Sequence, residues 1–184
     1  ATLTVGEAGR AIDALAGDFE TIVRVVKGRA EFQKFNHEGH KAAERIWGEI
    51  LSQNPDSPLG PFLMGWIAFQ KIVLGLTADP AIEFARAEQL AKQSLAMHEF
   101  ADPYALLALL YSNVGRFDDA IETANRAIEL APGGADPRAI GGEALYNSGE
   151  AEAGLEHMLA GMRLEPDYPE CLPASLYPAL LEHE

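Results

Sequence analysis

His37-Glu38-Gly39-His40 is the densest concentration of potential chemistry in the 184-residue chain. Two imidazoles around a carboxylate suggest a divalent metal. A helical zinc pair, as in H-E-x-x-H, needs its histidines four apart on one face. Here the second histidine comes one residue early, on a glycine-containing helix start with no third ligand nearby. A solvent-exposed turn is the expected setting. Glu152 and Glu156, one helical turn apart, are expected to be solvated. No series of serine, histidine and acid forms a triad. Cys171, the only cysteine, cannot make an internal disulfide and has no histidine partner to suggest a metal site. Gly133-Gly134 and Gly141-Gly142 suit a connector and a helix contact, not a phosphate loop. No catalytic, cofactor-binding or metal-binding residue is assigned, and the chain is not expected to be an enzyme.

The composition narrows the partners. Net charge is −14, with 48% hydrophobic residues. An acidic surface repels phosphate backbones and anionic lipids, so nucleic acid and membrane are not expected partners. The charge is uneven: residues 101–184 hold 4 basic and 15 acidic side chains, and residues 1–100 hold 10 and 13. A basic partner would favour the C-terminal half. The most apolar stretch, from Pro58 to Leu76, is interrupted by Gln70 and Lys71, and no signal peptide is visible. The sequence starts at Ala1 and stops in mid-pattern at Glu184, which suggests a segment of a longer protein.

The elements that would position any site come from a repeat. Ala101-Asp102-Pro103 returns 34 residues later as Ala135-Asp136-Pro137, Asn113 as Asn147, Gly115 as Gly149, and Pro132 as Pro166. A period of 34 marks a helix–turn–helix solenoid, in which each unit buries its apolar face against its neighbours. In the clearest unit, Asp102 suits an N-cap and Pro103 the first turn. Tyr104, Leu107, Ala108 and Tyr111 recur at helical spacing, and Asn113-Val114-Gly115 ends the helix. A second helix is expected from Asp118 to Leu130, packing through Ala120, Ala124 and Ala127. In an earlier unit the small residue expected at 77 comes at Ala87, a ten-residue insertion. It is expected to extend the preceding helix through Gly75 and to add the turn Thr77–Pro80, before a helix over 80–97. The expected divisions are an N-terminal helix (1–17) and repeats at 18–55, 56–100, 101–134 and 135–168. An irregular cap or truncated repeat, broken by Pro169, Pro173 and Pro178, would occupy 169–184.

Tyr104-x2-Leu107-Ala108-x2-Tyr111…Ala120-x3-Ala124…Pro132 resembles the tetratricopeptide repeat pattern W-x2-L-G-x2-Y…A-x3-F…P. The resemblance implies an all-α, right-handed α–α superhelix of about four helix pairs, with the first helix of each pair lining a concave face. It places Arg29, Phe32 and Gln33, then Phe62, Trp66, Phe69 and Gln70, then Leu109 and Asn113, then Glu143, Tyr146 and Asn147 along that face. Gln33, Gln70, Asn113 and Asn147 would form a row of amides able to donate and accept along an extended peptide backbone. Neighbouring aromatics would add stacking area. The alternative is that Asn113 and Asn147 only close helices and that the rings are core. Arg29 is the sole cation in the set, which disfavours binding of a C-terminal carboxylate.

The order of pieces is more particular: Lys27-Gly28-Arg29 with Phe32 and Phe35, Asn54-Pro55-Asp56, Gly65-Trp66, Ala87–Ala91, Gly115–Ile121 and Met162–Pro166. Over residues 18–170 it resembles the repeat region that follows the catalytic domain in bacterial class III adenylate/guanylate cyclase-like proteins. That implies a cytoplasmic segment for regulation or assembly, binding a protein or peptide, with no cofactor. Self-association is the other possibility, since an incomplete final repeat leaves an uncovered end.

Overall fold

The computed structural model describes residues 15–164. The expected N-terminal helix lies mostly outside that range, as do the irregular C-terminal segment and Cys171. Among the described residues there are eight named helices and no strand. They are α1 (Phe19–Phe32), α2 (His37–Gln53), α3 (Leu59–Val73), α4 (Pro80–Met97), α5 (Ala101–Asn113), α6 (Phe117–Leu130), α7 (Ala135–Asn147) and α8 (Ala151–Leu164). Substantial packing joins only helices one or two places apart in the chain. Each helix packs on the next, and the leading helices α3, α5 and α7 also pack on one another. Helix packing concentrated between neighbours defines an all-α solenoid of helix pairs.

Local chemistry sets most helix ends. Asp18 accepts from the Thr21 amide at 2.8 Å, and Asn36 from the Gly39 amide at 2.8 Å. Asp79 accepts from the amides of Ala81 and Ile82, with Pro80 opening the helix. At the other end, Gly75 and Gly115 take φ of 65° and 76°. The amide after each reaches back five residues, Leu76 to Lys71 and Arg116 to Tyr111. This glycine ends α3 at Val73, so the helix does not run through Gly75 as expected. The insertion is instead shared between a longer α3, a wider turn over 74–79 and extra residues at the start of α4.

A second correction concerns Asp102. Helix α5 begins two residues earlier, at Ala101, with Phe100 as its N-cap and no side-chain capping bond. Asp102 therefore lies inside the first turn, facing the protein. Its repeat mate Asp136 is placed likewise, after Gly134.

The core follows the stacking. Ala120, Ala124 and Ala127 of α6 are fully buried, as are Ala87, Ala91 and Ser94 of α4. Their small side chains let helix axes approach. In the first pair Trp47 lies over Gly28, sends Nε1 to the Val25 carbonyl at 3.3 Å and stacks 5.3 Å from Phe32. Helix α3 is buried on nearly every side, which explains its apolar run without any membrane. No helix among the described residues is long and apolar enough to cross a bilayer.

Candidate peptide-binding face

Arg29 of α1 and Asp136 of α7 carry the geometry of this face. The guanidinium Nη2 sits 3.3 and 3.2 Å from the two carboxylate oxygens, across 107 residues of sequence. Leading helices laid in a flat row would hold α1 and α7 at least roughly 25 Å apart, beyond the reach of one arginine. The array must therefore curve, with its leading helices turned inward.

The structure sorts the twelve expected face residues unequally. Phe62 and Leu109 are buried in the core, and Phe62 meets Phe100 edge-on at 5.5 Å. Phe32 fills the gap between Trp47 and Trp66. Trp66, Phe69 and Tyr146 are partly exposed, while Arg29, Gln33, Asn113 and Asn147 are exposed. Asn113 donates to the Leu109 carbonyl of its own helix at 2.7 Å, the bond of a helix-closing residue.

Gln70 interrupts the row of amides. It is 1% exposed, and its Nε2 donates to the Phe32 carbonyl at 2.8 Å. Its Oε1 lies 3.0 Å from His40 Nδ1. With the amide nitrogen spent on a carbonyl, Oε1 is the acceptor and Nδ1 carries the proton. His40 is thus no part of an exposed turn: it sits in the first turn of α2, buried, and holds α3 through Gln70. His37 remains exposed. Gln70 joins three helices, so Gln70→Leu would strand His40 Nδ1 and leave the Phe32 carbonyl only the Phe35 amide as a donor. A loss of about 1–3 kcal/mol is expected in urea unfolding, against less than about 0.5 kcal/mol for Asn113→Ala at the exposed helix end. Equal losses would contradict this division.

Burial pushes the Asp102 carboxyl up to about 7, with Asp136 adding to the rise and Arg29 opposing it. Burial alone takes Glu143 to about 7. Asp102 and Asp136 were visible in the sequence as a repeated pair, but reading Asp102 as a cap hid its inward placement. No group of three or more His, Cys, Asp or Glu among the described residues is arranged to hold a metal.

The model of the tetratricopeptide repeat family matches residues 101–133, which comprise α5, α6 and the turns about them. No curated protein matches the chain. The fold is an all-α, tetratricopeptide-like solenoid, and repeats of this kind generally mediate protein–protein interaction.

Proposed function

We propose that the chain is a non-catalytic interaction module whose inward face takes an extended segment of a partner protein. The contact between Arg29 and Asp136 carries this reading, because it brings residues of the leading helices α1 and α7 together across the array. Trp66, Phe69 and Tyr146 offer partly exposed ring surface on those helices, and Gln33, Asn113 and Asn147 offer polar groups. Rings beside polar groups suit backbone recognition with modest sequence preference. The order of sequence pieces further supports a cytoplasmic regulatory or assembly segment of a cyclase-like signalling protein.

Selection of displayed random twelve-residue peptides on the chain tests the module. Bound peptides should shift backbone resonances along α1, α3, α5 and α7, and Trp66→Ala with Asn147→Ala should weaken them about tenfold. Shifts confined to the trailing helices would overturn the reading. So would a dimer in light scattering that buries the leading helices between copies. The cyclase link is separable: a cyclase domain encoded ahead of Ala1 is expected, and a domain of another kind there removes that link alone.

A further inference from the structure

Asp102 and Asp136 hold the same place in successive units, on helices α5 and α7 that pack together. Neither caps its helix: the N-caps are Phe100 and Gly134. Asp102 is 6% exposed, and its Oδ2 has no hydrogen-bond partner. Its own backbone N–H reaches the carboxyl, but a buried carboxyl oxygen without a donor is costly, and a purely structural position is normally given one. The charged groups acting on it are Asp136 from α7 and Arg29 from α1. All three face one spot. Arg29 bonds both oxygens of Asp136 and leaves Asp102 Oδ2 unsatisfied. Of two neighbouring acids, one is thus bonded by a half-exposed arginine and the other is not.

We propose that Asp102 and Asp136 form a seat for one arginine side chain of a partner segment, and that Arg29 is the chain's own occupant, displaced on binding. This rests on the interaction reading above. A guanidinium suits the seat because its five donors lie in a plane and can bridge two carboxylates, where a lysine offers a point charge. Arg29 comes from α1, a helix without substantial packing on α7, so its withdrawal would free the Asp136 carboxylate without unpacking the helix that carries it. The occupant is therefore selected by charge, and the internal arginine sets a threshold that only a well-placed cation passes. The excess of acid in residues 101–184 would draw such a segment toward this end of the array.

Titration of the whole chain with Ac-Gly-Arg-Gly-amide, followed by amide resonances, tests the seat. Saturable shifts are expected at residues 100–106 and 134–140, with none from the uncharged citrulline tripeptide and weaker ones from the lysine tripeptide. Arg29→Gln should tighten binding about three- to fivefold by removing the competitor, the scale of a partly exposed ion pair. Asp102→Asn and Asp136→Asn should each weaken it at least about tenfold. The same spectra report whether each variant is folded, and Asp136→Asn stands alone if the buried substitution is not. Absent saturation, equal binding of citrulline, or weaker binding by Arg29→Gln would overturn the proposal. Selected peptides that occupy the leading helices but ignore both aspartate substitutions would overturn the seat and leave the interaction reading intact. Tripeptide binding without any selected peptide would do the reverse.

Discussion

Alanine at Gly142 or Gly154 should cost about 2–3 kcal/mol, although alanine in a helix interior is favoured over glycine by about 1 kcal/mol. The two glycines face each other where α7 crosses α8. A Cβ on Gly142 would lie 2.7 Å from the Gly154 carbonyl oxygen and 2.9 Å from the Met158 nitrogen. A Cβ on Gly154 would meet the Gly142 oxygen and the Tyr146 nitrogen, both at 2.6 Å. These obstacles are backbone, so no rotamer change relieves them and the helices must part. Parting would expose Met158, fully buried between them, and Leu155. Because a solenoid couples only neighbours, the damage should be local. Hydrogen exchange should show α8 losing protection first, with α1–α4 unchanged. The double variant should cost less than the sum of the singles, since the first substitution already opens the gap. A rise in melting temperature for either single variant would show that this close approach is not required.

Stability should fall by about 2–4 kcal/mol between pH 5 and pH 8, a direction opposite to that of most acid-sensitive proteins. Asp102 and Glu143 titrate near 7 when folded, against 3.8 and 4.5 for the free groups. The folded chain therefore binds more protons than the unfolded chain between about pH 4 and 7. Stability from these two groups is present below that window and lost as pH rises through it. Other groups act the other way. Desolvation works against the Glu44 and Glu88 carboxyls, but Lys71 for the first, and Lys92, Tyr111 and Arg116 for the second, hold both below the usual range. Their contribution is lost only as pH falls through the carboxylate range. Burial, with help from Arg138, lowers the half-exposed His157 and adds a small rise with pH near neutrality. The resulting maximum lies near pH 5. Urea midpoints at pH 5, 6.5 and 8 would trace it, and Asp102→Asn with Glu143→Gln should flatten the alkaline limb. Stability that is level or rising from pH 5 to 8 would refute the assignment.

Much of the architecture was legible because its signals are local and recur. Ala87, Ala91 and Ser94, and again Ala120, Ala124 and Ala127, announce close helix contacts through their size alone, and all six are fully buried. Asp79-Pro80 reads as a cap and first turn, and it is one. The site was less legible. Gln70 has the same side chain as an exposed groove amide, and only the arrival of His40 and the Phe32 carbonyl makes it structural. His40 looked like part of a turn because its partner is 30 residues away.

Composition and period together settled that these residues form stacked helix pairs, since propensity, apolar spacing and small-residue placement act over one or two turns of chain. What a given polar side chain faces was decided only when distant helices met. Whether Asp102 caps a helix or lies buried depends on two residues of helix start, and whether Asp136 meets solvent or Arg29 depends on the curvature summed over the intervening helices. Small angles between neighbours are invisible in any single stretch of sequence, yet they accumulate until two ends of the array come within hydrogen-bonding distance.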